Sequence, residues 1–231
     1  MIVATAQSLK LHGGVEEKLI KDPNLEGIRR GLANLDKHVE NMRRFGQSVI
    51  VTFNRYAQDT DEEIAVVADH CRSLGVGFAL NTVFAEGGQG GEELARLVVD
   101  IIEKNPSLPL ALCYADADPV RVKIEKVSKT IYGASSIIYT SLADKKIKQI
   151  ESLGISYYPI CIAKTQYSFS SDPKAYGVAK DFELKVQDVI INNGAEMIVV
   201  VMGEIMRMPG LPKQPQALQI DIVNGQVEGL S

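Results

Sequence analysis

The sequence contains no tryptophan, and only three cysteines occur among its 231 residues: Cys71, Cys113 and Cys161. They lie far apart, form no C-x-x-C pair and are odd in number. That spacing excludes a disulfide framework and argues against a zinc site. Each cysteine falls in an apolar stretch and reads as a small buried hydrophobe in a reducing cytoplasm. The histidines, His12, His38 and His70, show no metal-ligand spacing, and the last two fall on expected helices as surface or satisfied residues. Dense lysine or arginine blocks are missing and the net charge is −4, which argues against nucleic acid as a partner, since phosphate backbones demand concentrated positive charge. No apolar run approaches membrane length, and the opening MIVATAQSLKLHGG has no basic leader. A cytoplasmic protein without a membrane partner is expected. G-x-G-x-x-G and G-K-[ST] are also lacking, so no Walker lysine and hydroxyl stand ready for phosphate and magnesium.

What is there is an ordinary globular composition, 45% hydrophobic and 23% charged, with a regular alternation of patterns. Residues 2–6 read as a buried strand, and 24–45 as a helix striped by Leu25, Ile28, Leu32, Leu35 and Val39. Strand 48–53 leads through NRYAQDTDEE to a helix with Thr60 and Glu63 in capping-box spacing, ended at Gly75. Strand 76–84 precedes helix 91–104, striped by Leu94, Leu97, Val98 and Ile101. Strand 108–114 precedes helix 119–131, with Asp118 as N-cap and Pro119 in the first turn. Strand 136–140, helix 142–153 and strand 157–163 complete the series.

Strands alternating with helices through short loops predict an α/β fold, a three-layer parallel-sheet domain of Rossmann-like type. Over about 41–165 the sheet is expected to have five strands, which leaves strand 2–6 without a place in it. Residues 168–181 read as a linker or functional loop. The pattern 182–203 turns at Asn193-Gly194, and a second Asn-Gly follows at 224–225. A small β-rich domain over 168–231 is expected from these signals.

Candidate site residues cluster where strands end. In an open parallel sheet, ligands bind at the carboxyl ends of strands. Asn54, Arg55 and Tyr56 follow strand 48–53, and Phe84 ends strand 76–84, followed by Gly87, Gly88, Gly90 and Gly91. Two aromatics at adjacent strand ends suit a flat heterocycle, although covering the sheet top is the commoner fate of aromatics. The glycines suit either a phosphate cradle or a tight turn where backbone passes close to something. Lys164, Thr165, Gln166 and Tyr167 follow the last parallel strand, and the lysine either binds an anionic group or is solvated. The segment MRMPGLP, 206–212, reads as a pocket wall or a proline-restrained loop.

FNRYAQDTDEE, VFAEGGQGGEELA, KTIYGA, PICIAKTQYSFSSDP and MRMPGLPKQP together resemble the carboxyl-terminal portion of formate–tetrahydrofolate ligase. IVATAQSLKLHGG followed by GLANLDKHVENMRRFG does the same, so the resemblance runs through the chain in order. It implies an enzyme that makes formyl phosphate from formate and ATP and passes the formyl group to N10 of tetrahydrofolate. The family's P-loop domain precedes this portion, so residues 1–45 are expected to resemble the end of that domain, 46–167 the folate-side domain and 168–231 the small domain. ATP and magnesium would then enter only through a P-loop half, either a separate subunit or a missing part, and homo-oligomers are an alternative partner. By resemblance, Tyr56 and Phe84 hold the places of two aromatics that stack on the pterin, where phenylalanine and tryptophan are expected. Asn54, Arg55, Gly87 and Gly88 would border the folate. His12, Gly13, Gly14, Pro209 and Gly210 would lie on the nucleotide side. The competing reading is a folate- or pteridine-binding protein derived from the ligase and without turnover.

Overall fold

The computed structural model describes residues 1–203, 205, 213–223 and 226–229. The chain is α/β, with parallel strands flanked by helices. Strand β1 (Ile2–Ala4) is followed by helix α1 (Ala6–His12), capped by the Thr5 side chain, and by the long helix α2 (Leu25–Arg44), capped by Asn24. Strand β2 (Ile50–Asn54), helix α3 (Asp61–Ser73) and strand β3 (Gly77–Asn81) complete the first unit. The Thr60–Glu63 capping box forms as its spacing predicts.

The first sheet is wholly parallel in the order β1-β2-β3. Ile2 pairs with Val51 and Ala4 with Phe53. The expectation that strand 2–6 lacks a place is therefore overturned: the strand is shorter, and it pairs at the edge of its own sheet. Ile50, Val51, Thr52 and Phe53 are buried in succession. Alternate residues face opposite sides, so both faces of this central strand are covered. Ile28, Leu32, Leu35 and Val39 of α2 pack into this core with Ile64, Val67 and Cys71 of α3 and Leu9 of α1. Helices α1 and α2 approach closely enough that a Cβ on Gly31 would stand 1.9 Å from the Leu9 carbonyl oxygen, so only glycine fits there.

The five-stranded sheet is also corrected. After β3 come the short helix α4 (Val83–Glu86) and α5 (Glu92–Lys104), but 108–114 forms no strand. It runs instead beside the end of α2, where Leu108 N–H donates to Gly46 O and Ala111 N–H to Phe45 O. Helix α6 (Val120–Val127) has Pro119 rather than Asp118 at its N-cap. Asp118 is occupied elsewhere, accepting from Ala115 N–H and Lys126 Nζ.

Strand β4 (Ser136–Tyr139), helix α7 (Ser141–Ser152), strand β5 (Ile160–Ala163) and the hairpin strands β6 (Glu183–Asn192) and β7 (Met197–Met202) build a second sheet, ordered β4-β6-β7-β5. The hairpin turns at Asn193-Gly194 as predicted, yet it inserts between β4 and β5 rather than standing apart from them. Strands β8 (Asp221–Val223) and β9 (Gln226–Glu228) form a separate ribbon; the Asn-Gly pair at 224–225 lies outside the described residues.

The cysteines divide. Cys71 is buried, and desolvation pushes its thiol up to about 11. Cys113 is half-buried, and Cys161 on β5 is exposed, against the expectation that all are interior. Among the described residues, no helix is long and apolar enough to cross a membrane.

Two buried polar positions make testable predictions. Lys10 and Glu63 are fully buried 3.0 Å apart. Burial works to raise the Glu63 carboxyl, but the Asn24 N–H, Lys10 and the Thr60 N–H together hold it below its usual range. Glu63→Gln leaves a buried ammonium without its counter-ion and is expected to cost about 3 kcal/mol by urea unfolding. Replacing both partners by apolar residues should cost less. Because the folded carboxyl titrates lower than the unfolded one, its contribution is complete above about pH 5 and drains away as pH falls further. Thr52 is fully buried at the centre of β2, and its hydroxyl has no partner among the described residues. Thr52→Val should stabilise by about 1 kcal/mol, a rise in Tm of roughly 2–4 °C.

Candidate functional site

The register of the first sheet creates a shelf. Asn54 pairs with Asn81 at the carboxyl ends of β2 and β3, and Arg55 N–H donates to Asn81 O at 3.0 Å. The two loops leaving these ends therefore start side by side. The first carries Tyr56, which is 42% exposed, and the second carries Phe84, which is 96% exposed. Phe84 does not end a strand, as its sequence neighbours predict. It sits in α4, begun by a turn in which Asn81 Oδ1 accepts from Val83 N–H.

The Tyr56 loop is held from beneath. Asp59 is buried; its Oδ2 accepts from Tyr56 N–H at 2.8 Å, and its own N–H donates to Tyr56 O at 3.0 Å. Burial raises the Asp59 carboxyl above its usual range, against the hydrogen bond from Tyr56. Arg55 is paired with Asp61 at 2.9 Å. Asn54 is half-buried at the strand end.

The glycine loop is a turn with one crowded side. Gly87 has φ +60, which favours glycine, and a Cβ on Gly87 or Gly88 would meet nothing within 4 Å. Gly90 is the crowded position, where a Cβ would lie 2.5 Å from Thr82 backbone. Both Gly87 and Gly88 are exposed beside Phe84, leaving open space over that end of the shelf.

A second place of interest is a cleft of about 230 Å³ between the two sheet units, lined by residues of α1, α2 and the segment after β5. His12 and Lys164 through Phe169 line it with Asn34, His38 and Tyr132. Of these, sequence reasoning named His12 and Lys164–Tyr167. It missed Asn34 and His38, one turn apart on α2, and Tyr132, distant from them in the chain; nothing in those segments marks a cleft wall.

Lys164 does not present a free charge. Its Nζ donates to the carbonyls of Thr165 at 3.0 Å, Ser170 at 3.2 Å and Ser168, and lies 4.7 Å from the Tyr132 ring centre. Desolvation lowers it to about 8. The ammonium organises the loop that follows β5, so the anion-binding alternative loses its donors.

His12 ends α1, with Gly13 and Gly14 after it. A Cβ on Gly13 would strike Gly27 O at 1.9 Å, while Gly14 takes φ +79. These glycines thus serve the turn and the approach of α1 to α2. Pro209 and Gly210 lie outside the described residues.

Comparison with known proteins bears on this geometry. A sequence model of the family described as formate–tetrahydrofolate ligase matches residues 1–231. The chain belongs to that family. It is 77% identical over 231 residues to the formate–tetrahydrofolate ligase of Parabacteroides distasonis, 62% to that of Bacteroides fragilis and, over 233 aligned residues, 44% to that of Campylobacter concisus. Each alignment covers 100% of this chain and 42% of the relative, so the chain spans about two fifths of the length of these curated relatives.

A pH dependence follows from the cleft. Burial, and then His38 nearby, hold His12 below the ordinary imidazole range; burial against its neighbours also lowers His38. His12 Nδ1 accepts from Gly177 N–H at 3.0 Å, a bond that protonation of that nitrogen removes. The folded state thus prefers both rings neutral. Their contribution to stability is complete above about pH 6.5 and is lost as pH falls through the lowered folded values. Thermal melts between pH 7.5 and 5 should show Tm falling over this window, and His12→Gln should flatten part of the slope.

Proposed function

We propose that this chain provides the folate-binding portion of a formate–tetrahydrofolate ligase. The observation that supports the reading is the paired carboxyl ends of β2 and β3, which start the Tyr56 and Phe84 loops side by side with both rings open to solvent. On this reading the two rings flank the pterin, Asn54 and Arg55 border it, and Gly87 and Gly88 leave room for it. Phe84 offers a smaller face than the indole expected there, and it lacks the N–H donor.

Placement is the chemistry asked of this portion. N10 of tetrahydrofolate attacks the formyl carbonyl of formyl phosphate, the new C–N bond forms, phosphate departs with the C–O electron pair, and the N10 proton is taken up by the departing phosphate. Holding the amine against that carbonyl supplies the proximity term. Phosphoryl transfer from ATP, with its lysine and magnesium, belongs to a P-loop portion. His12, Gly13 and Gly14 would face that nucleotide side. The reaction would proceed in the cytoplasm.

Isothermal titration of tetrahydrofolate into the chain tests the reading. Phe84→Ala should weaken binding about tenfold, from roughly 0.5–1.5 kcal/mol of stacking plus lost burial. Because the Phe84 ring makes almost no contact with the protein, the variant should fold as the parent does. Tyr56→Ala should act in the same direction. Unchanged affinity in both folded variants refutes the stacking role.

A further inference from the structure

The peptide of Gly177 fixes two side chains at once. Its N–H donates to His12 Nδ1 at 3.0 Å, and its carbonyl accepts from Asn34 Nδ2 at 3.2 Å. A backbone N–H only donates and a carbonyl only accepts, so both assignments are forced. Neutral His12 then carries its proton on Nε2, and Asn34 must turn its Oδ1 away from Gly177. What remains on two neighbouring residues lining the cleft is one donor and one acceptor. Neither the His12 Nε2–H nor Asn34 Oδ1 has a protein partner among the described residues.

The surroundings restrict what fits this pair. Tyr132, Phe169, His38 and Tyr167 give the cleft aromatic walls. Its volume of about 230 Å³ is below the ~300–1,000 Å³ of pockets for drug-sized ligands, so it encloses a ring rather than a whole nucleotide. No carboxylate is among the described lining residues. The Lys164 charge favours a partial negative charge nearby, yet its donors are spent on backbone carbonyls. A desolvated anion would need several donors in place of water, and it would face the Asn34 oxygen.

We infer that this cleft binds a small uncharged lactam ring, a pyrimidinone or a fused purinone or pterin edge. Its carbonyl accepts from His12 Nε2–H and its adjacent ring N–H donates to Asn34 Oδ1. The aromatic walls cover its faces. This inference does not depend on the folate shelf, since none of Asn54, Arg55, Tyr56, Phe84, Gly87 and Gly88 is among the cleft's lining residues.

The test is a protein-observed NMR titration of the chain with uracil, hypoxanthine and pterin, with 1,3-dimethyluracil as the probe lacking a ring N–H. Saturable shifts centred on His12, Asn34, Gly177 and residues 164–169 are expected with at least one lactam probe, and dimethyluracil should bind at least tenfold more weakly. The better of the hypoxanthine and pterin arms tells whether the ring comes from a nucleobase or a folate head group. Asn34→Ala should weaken the lactam about tenfold, whereas Phe84→Ala should leave these shifts unchanged. If Asn34→Ala does not fold, the shift map of the unaltered chain decides. Absence of saturable shifts at these cleft residues with every probe, or equal binding of dimethyluracil there, overturns the inference; pterin shifts at Tyr56 and Phe84 report the separate folate shelf.

Discussion

The buried carboxylate of Glu63 is the constraint on which the first unit and its shelf depend. One oxygen accepts from Lys10 Nζ of α1 at 3.0 Å and from Asn24 N–H at the start of α2 at 2.8 Å. The other accepts from Thr60 N–H at the start of α3. Lys10 also donates to Asp22 O at 2.9 Å. A single charge pair thus locks three helix ends together, and α3 begins where the Tyr56 loop ends. The desolvation cost of two buried ions is offset only because each also has backbone partners. Hydrophobic packing along α2 and β2 would hold the layers, but it would not fix the angle at which residues 54–60 leave the sheet.

The second unit repeats the device with lysines that donate to backbone carbonyls. Lys123 is fully buried and donates to Ser156 O at 2.7 Å and Tyr158 O at 3.0 Å, leading the chain into β5. Lys164 gathers carbonyls at the other end of that strand. In each case an ammonium takes the place that water would take in an exposed loop, and desolvation lowers both lysines. Polar ties then join the units: His12 and Asn34 to Gly177, and Asn41 Nδ2 to Ile131 O at 2.9 Å. These bonds are directional, so the geometry of the cleft follows from them rather than from the apolar cores on either side.

Much of this was legible in the sequence because it is local. The Thr60–Glu63 capping box, the α2 stripe and the Asn193-Gly194 turn each depend on residues within a few positions of one another. Helix α1 was missed because its few residues follow β1 directly, and only Thr5 marks its start. The Tyr56 and Phe84 loops were legible as strand ends, but not the helical turn that lifts Phe84 into solvent. The cleft was legible only in part. Its lining depends on Gly177 reaching His12 and Asn34 across more than 140 positions, a relation that no window of sequence contains.

Residues 108–114 show why the strand count failed. Leu108, Leu110 and Leu112 alternate as a strand should, yet they are 70%, 61% and 62% exposed. Alternation reports that one side of an extended chain is apolar; it does not supply the neighbour whose backbone completes the ladder. Here the segment's backbone hydrogen bonds go to residues 45 and 46 beyond α2, and no sheet strand among the described residues pairs with its backbone. Helix α5 carries the same lesson, since its predicted stripe is half-buried and no residue in it is fully interior. Where the partner surface follows the same strand in sequence, as in β2 through α3 to β3, pattern and structure agree. Where a β-hairpin from residues 183–202 enters the middle of a sheet, the pattern of each strand is right and the sheet it belongs to is decided by pairing alone.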